Sequence, residues 1–153
     1  MPLIKKIKTR AGILGIWELT EESKVLEEYF QFSDPEKLEY ANFKAEKRKR
    51  EYLAARLLLA ELQNKKTEIY YEQSGKPFID DNSLNISISH SFDLLVVLLS
   101  PKNIGIDVEH TNRNIEKITK RFLHKDELKS ISKNENDQIE KIIHWGAKEA
   151  IFK

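Results

Sequence analysis

Apolar positions along this chain fall into blocks of two different periods. Ile13 to Leu19 has the look of an early strand, and Glu22 to Phe30 of a short helix. Asp34-Pro35 has the form of a helix start, a capping carboxylate followed by a proline whose missing N–H costs nothing in the first turn. From Glu36 to Gln63 the period is helical, divisible into two helices, and Tyr52 to Leu62 is rich enough in Leu and Ala to be buried on one side. Short alternating or β-branched runs follow at Glu68 to Glu72, Asn85 to Ser89, Leu94 to Leu99 and Ile104 to Glu109. Turn chemistry separates them at Ser74-Gly75, Asp80 to Asn82 and Pro101 to Asn103. Helical spacing returns over Ile115 to Leu123, Lys125 to Ser132 and Asp137 to Lys153, and nothing after Trp145 resembles a C-terminal cap. Helices, then strands, then helices predict an α+β fold, not a regular βαβ alternation.

Composition narrows the class. The 153 residues suit one ordinary domain or two small halves sharing a core, and 40% hydrophobic with 33% charged residues is a globular balance. The absence of cysteine excludes disulfides and thiolate metal sites. Lysines interrupt Met-Pro-Leu-Ile-Lys-Lys-Ile-Lys too early for a signal peptide, and the longest aliphatic run, Leu94 to Leu99, cannot span a bilayer. A cytoplasmic protein without membrane contact is the expectation. A net charge of +1 argues against a dedicated nucleic-acid binder.

The candidate chemistry is acidic first. If Ile104 to Glu109 is a strand, Ile104, Ile106 and Val108 face a core while Gly105, Asp107 and Glu109 face the other way. The two carboxylates then lie about 6–7 Å apart at Cα, close enough to converge on one cation. A divalent ion would relieve their repulsion, and oxygen-only ligands suit Mg²⁺. Gly105 on the same face would leave room for a ligand at the backbone. In the last helix Trp145, Glu149 and Lys153 recur at i, i+4 and i+8. This places a third carboxylate and a lysine on one face, with Ile139, Ile142, Ile143, Ala147, Ala150 and Ile151 as the expected buried stripe. Gly146 costs roughly 1 kcal/mol in a helix interior.

Two further sites are basic. Ser89 and His90 end a strand, and because consecutive residues point to opposite faces they do not form a nucleophile pair; anion binding is the better use of His90. Lys44 to Arg56 holds six basic against two acidic residues, a local charge of +4 suited to phosphates or an acidic surface. Within it Arg50 and Arg56 lie closest to the apolar part and are expected to be held in place. Lys76 sits in the turn Gly75-Lys76-Pro77.

In this order the fragments resemble the surfactin-synthetase-type 4′-phosphopantetheinyl transferases. The resemblance is carried by Lys47-Arg48-Lys49-Arg50-Glu51-Tyr52-Leu53-Ala54-Ala55-Arg56, Gly75-Lys76-Pro77, Asn85 to Ser91, Ile104 to Glu109 and Trp145-Gly146-Ala147-Lys148-Glu149-Ala150, and covers the chain from about residue 34 onward. It implies an enzyme of the holo-[acyl-carrier-protein] synthase type. Such an enzyme transfers the phosphopantetheine arm of coenzyme A to a serine of an acyl or peptidyl carrier protein and releases 3′,5′-ADP. It also implies that Asp107, Glu109 and Glu149 bind Mg²⁺ against the diphosphate. Glu149, or a water held by the metal with Glu109, would take the serine proton, and Lys153 would offset charge on the leaving phosphate. Lys148 would contact phosphate, His90 with Ser89 nearby would hold the 3′-phosphate, and Arg50, Lys76 and Lys37 would clasp the nucleotide.

The implied fold is two similar α+β halves related by a pseudo-twofold axis, here 1–101 and 102–153, with the second incomplete. Family members continue for some tens of residues beyond the helix that carries Glu149. A truncated second half would expose sheet edges, and lowered stability and activity are expected, in a monomer or in an oligomer that covers those edges. Gly146 stands where relatives more often have a small polar residue. A metal-dependent nuclease or phosphohydrolase is a weaker alternative, since Thr111 follows Glu109-His110 and no E-x-K pattern results. A non-catalytic module binding coenzyme A or a carrier protein is the other.

Overall fold

The computed structural model describes residues 3–81, 83–131 and 137–153. In chain order the elements are β1 (Leu3–Lys8), β2 (Ile13–Glu18), α1 (Ser23–Tyr29), α2 (Asp34–Ala41), α3 (Glu46–Gln63), β3 (Tyr70–Tyr71), β4 (Pro77–Phe78), β5 (Asn85–Ser91), β6 (Leu94–Ser100), α4 (Glu116–Phe122), α5 (Lys125–Ser130) and α6 (Asp137–Phe152). A four-stranded antiparallel sheet runs β1-β2-β6-β5, and β3 and β4 form a separate two-stranded hairpin. The class is α+β, as the order of periods predicts. The sequence reading did not anticipate β1. Three lysines in its six residues hide the strand pattern, which an edge strand paired only through β2 can tolerate. The expected turn residue Asn82 and the end of the helix expected to reach Ser132 lie outside the described residues.

Packing follows from α3. Leu53, Ala54, Leu58, Leu59 and Leu62 bury one side of it, and the helix lies across β2 and β6. The main apolar cluster runs from Trp17 to Leu99, whereas Ile115, Leu123, Ile131 and Ile142 are buried outside it. Arg56 is almost wholly buried on α3. Its guanidinium lies 3.4 Å over the Tyr52 ring and 3.3 Å and 3.4 Å from Glu36 and Glu39 of α2. The two helices are thus clamped by a buried ion pair. The start of α2 differs slightly from expectation. Ser33 is the cap, reciprocally bonded with Glu36, because Ser-x-x-Glu satisfies two orphan N–H groups where Asp34 alone could satisfy one.

The main departure is the segment 104–109, which is not a strand and has no ladder partner among the described residues. It follows the edge strand β5 through side chains instead. The amides of Ile106 and Val108 donate to Ser87 Oγ at 3.1 Å and Ser89 Oγ at 3.2 Å. The hydroxyls replace ladder carbonyls, and the spacing of two residues on both sides keeps the segment in step with β5. The expected inward face is not observed. Ile104, Ile106 and Val108 are only half-buried, while the side chains of Asp107 and Glu109 are 6% and 9% exposed.

Helix α6 packs onto this segment backbone to backbone. A Cβ on Gly105 would lie 1.7 Å from the Ala150 carbonyl oxygen, so the space expected for a ligand is filled by α6. Of the expected stripe on α6 only Ile142 is fully buried; Ile139, Ile143 and Ile151 are exposed. No described helix is long and apolar enough to cross a membrane.

Two stability tests follow. Arg56→Met should cost about 3 kcal/mol in urea unfolding, because it strands a buried Glu36. The loss is held to that level by Lys66, which still reaches Glu36 at 3.0 Å. Gly105→Ala should cost about 1–3 kcal/mol by overpacking against α6. Wild-type stability in the second variant would show that this contact does not set the position of α6.

Candidate active site

Two cavities lie side by side at the open edge of β5. The smaller, about 280 Å³, is bordered by Ser89, His90, Asp107, Glu109, Trp145, Glu149 and Lys153, with Ile88, Val108 and Arg113. The larger, about 360 Å³, is bordered by Arg48, Glu51, Lys76, His90 and Lys153 among polar groups, with Tyr52 and Tyr71 as aromatic walls. His90, Ile88 and Lys153 belong to both.

The small cavity collects the acidic residues that the spacing singles out. Lys153 Nζ lies 2.5 Å from Asp107 Oδ1 and 2.8 Å from Ser89 Oγ, and Ser89 donates to the same Asp107 oxygen at 3.0 Å. Glu109 Oε1 accepts from Trp145 Nε1 at 2.7 Å and from Arg113. The i, i+4, i+8 spacing of Trp145, Glu149 and Lys153 therefore has the geometry expected of it: one helical face meets the 104–109 segment. Sequence reasoning missed Trp145 and Arg113 as partners of Glu109, since neither pairing is local to the α6 pattern.

Among the described residues no three Asp, Glu or His side chains close around one point tightly enough to hold a metal. The expected convergence of Asp107, Glu109 and Glu149 on a cation is thus observed only as a shared cavity. Lys153 and Arg113 hold one oxygen of each buried acid and supply the positive charge. The donor set nevertheless fits a divalent cation. Asp107 Oδ2 and Glu109 Oε2 are buried with no hydrogen-bond partner among the described residues, which is costly unless something accepts their charge. A Cβ on Gly146 would stand 3.4 Å from Asp107 Oδ2, an ordinary van der Waals contact, so α6 passes directly beside that oxygen. Carboxylate oxygens of this kind suit a hard cation such as Mg²⁺.

The basic residues separate into two groups. Lys76, presented by the β3–β4 turn where Gly75 has φ +85°, and His90 border the larger cavity as expected. Arg50 does not. Its guanidinium donates to the Leu19 carbonyl and lies 3.8 Å from Asp93, holding the chain after β2. Arg48 takes its place, because positions 48, 51, 52 and 55 share one face of α3 and position 50 does not. That helical spacing was available in the sequence but was outweighed by nearness to the apolar run. Lys37 is exposed beside Asp34 at 3.7 Å and borders neither cavity. Lys148 is turned away too: Nζ donates to the Phe122 carbonyl at 2.6 Å and to Glu127 at 2.7 Å, tying α6 to α4 and α5. That contact pulls the Glu127 carboxyl below its ordinary range, with the His124 amide adding to it. Ser89 is engaged with Asp107, Val108 and Lys153 on the face of β5 opposite His90.

His90 and Tyr52, both on the larger cavity, are perturbed. Burial lowers the His90 pKa below the usual imidazole value; Glu51, whose Oε1 lies 3.1 Å from Nδ1, opposes this, and Arg48, Lys47 and Lys153 add to the lowering. Burial also raises the Tyr52 phenol well above its ordinary value.

Residues 103–153, which carry Asp107, Glu109, Glu149 and Lys153, match the family model of the 4′-phosphopantetheinyl transferase superfamily. The chain is 35% identical over 81 residues to the 4′-phosphopantetheinyl transferase gsp of Aneurinibacillus migulanus, covering 52% of this chain and 34% of that protein. It is 33% identical over 85 residues to the 4′-phosphopantetheinyl transferase Sfp of Bacillus subtilis (strain 168), covering 54% of this chain and 38% of that one. The match thus spans little more than a third of either relative's length. The acidic segment and the Trp145–Lys153 face lie in the stretch that matches the family model, and over about half of its length the chain is similar to both 4′-phosphopantetheinyl transferases.

Proposed function

We propose that this chain carries the coenzyme A-binding and cation-binding part of a 4′-phosphopantetheinyl transferase, which moves the phosphopantetheine arm of coenzyme A to a serine of an apo-carrier protein. The observation that carries the reading is the pair of adjoining cavities, one acidic with two unpartnered carboxylate oxygens and one basic, joined at His90 and Lys153. A dinucleotide-like ligand with a diphosphate at one end and a further phosphate at the other is complementary to that distribution. In this reading 1–101 and 102–153 act as two halves with the ligand between them, and the confinement of the main apolar cluster to Trp17–Leu99 supports the division.

The chemistry is a displacement at phosphorus. The serine hydroxyl forms the new O–P bond, the bridging P–O bond of the diphosphate breaks, and 3′,5′-ADP leaves. Glu149 takes the serine proton; it borders the acidic cavity. Lys153 stands between the cavities and offsets charge on the leaving phosphate. Arg48, Lys76 and His90 bind the nucleotide end. Asp107, Glu109 and Glu149 would hold Mg²⁺, which when bound neutralises the diphosphate charge.

The test is incubation with coenzyme A, Mg²⁺ and several apo-carrier proteins, read by intact mass. The expected result is addition of the phosphopantetheine mass to one serine. Coenzyme A binding without transfer would reduce the chain to a binding module, and neither binding nor transfer would remove the reading. Asp107→Asn and Glu149→Gln should each lower transfer by about 10²–10⁴-fold, the usual scale for losing an acid–base or charge-organising group. Retained activity in both variants would place the chemistry elsewhere.

A further inference from the structure

Lys153 is tied to the acidic segment more closely than a phosphate-binding lysine needs to be. Its Nζ donates to Asp107 Oδ1 at 2.5 Å and to Ser89 Oγ at 2.8 Å, and its side chain is only 29% exposed. The Ser89 hydroxyl in turn donates to the same Asp107 oxygen at 3.0 Å and accepts from the Val108 amide at 3.2 Å, so all four groups form one network. The ammonium therefore sits on one oxygen of a carboxylate whose other oxygen, Oδ2, is buried without a partner among the described residues. Two of its three N–H groups are used in these contacts.

This arrangement works against a bare cation. A dication on Oδ2 would share one carboxylate with an ammonium, in a largely buried place where like charges are poorly screened. The formal charges around the cavity offer little to offset that repulsion. Asp107, Glu109 and Glu149 stand against Lys153 and Arg113, three acids against two bases, a net charge of −1. A hard dication that gives up its waters reluctantly gains little there. A diphosphate changes the balance. Its oxygens can accept from the remaining N–H of Lys153, which borders both cavities, and their charge then lies beside the ammonium. The repulsion is cancelled while Lys153 stays on Asp107. Arg113 acts in the same sense on Glu109 but more weakly, because its side chain is 40% exposed.

We propose that Lys153 closes the acidic cavity to free divalent cations, so that a cation is held there only together with the diphosphate of the ligand. The proposal rests on that cavity being the diphosphate end of the coenzyme A site. Lys153 is then a specificity-determining residue, selecting the cation–diphosphate pair over the cation alone. By linkage, cation and ligand raise each other's affinity by the same factor.

The experiment adds Mn²⁺ to the protein, with and without saturating coenzyme A, and counts the free ion by electron paramagnetic resonance. The Mn²⁺ held by coenzyme A itself is subtracted. The wild type should bind Mn²⁺ weakly alone and at least about tenfold more tightly with coenzyme A. Lys153→Met should tighten binding to the protein alone by about 10–100-fold, the scale of one partly exposed charge at this range. The gain from coenzyme A should shrink in that variant. Lys153→Gln, which keeps a donor without the charge, should behave like Lys153→Met, and Lys153→Arg like the wild type. Damage to the fold would weaken metal binding, so tighter binding cannot come from it; thermal melting checks each variant. The proposal is overturned if neither neutral variant binds Mn²⁺ more tightly than the wild type. It is overturned equally if coenzyme A leaves the wild-type affinity for Mn²⁺ unchanged. In both cases coenzyme A binding by the wild type leaves the transferase reading standing. No coenzyme A binding by the wild type, with or without Mn²⁺, overturns both.

Discussion

Two carboxylates held almost out of water within two residues of each other, Asp107 and Glu109, set the terms for everything around them. Like charges in such a place are unfavourable unless each finds a counter-charge or a donor. Lys153 and Ser89 provide these for Asp107, and Arg113 and Trp145 for Glu109. Each acid keeps one further oxygen without a partner, facing the region that α6 and Glu149 also border. A half-satisfied pair of this kind is costly, and the two open oxygens are what the proposed cation would engage.

The fold supplies the confinement through contacts that are individually modest. Ser87 and Ser89 hold the acidic segment against β5 without a backbone ladder, and the absence of a side chain at Gly105 lets the α6 backbone descend on it. The same edge of β5 presents Ser89 to one side and His90 to the other, so one strand serves both cavities. The first reaches Asp107 and the second reaches Glu51. A ligand that spans acidic and basic ends would cross between them at Lys153.

Much of this was legible in the chain itself. The helical pattern over α3 and α6, the two strands β5 and β6, and the separation of Ser89 from His90 follow from periods of 3.6 and 2 that side-chain geometry enforces locally. The short distance from Glu149 to Lys153 on one helical face is of the same kind. The errors share a cause. β1 was hidden because an edge strand with lysines does not need alternation, and the 104–109 segment was read as a laddered strand because its alternation is also what a tether by alternate serine hydroxyls requires. The exposed Ile139, Ile143 and Ile151 show that a stripe predicts which face of a helix is apolar, not whether anything covers it.

What the sequence determined by itself, then, is which chemistry is present and at what spacing: an acidic pair two residues apart, a glutamate and lysine one helical turn apart, a histidine at a strand end and a basic helix. Only the tertiary structure decided which of these meet. Arg48 rather than Arg50 faces the cavity, Lys148 and Lys37 stand away from it, and Trp145 and Arg113 belong to Glu109. The reason is physical. Local periodicity fixes the direction of a side chain relative to its own element. Partners far apart in the chain are chosen by how closely backbones can approach, which here depends on the missing Cβ of Gly105 and the hydroxyls of Ser87 and Ser89.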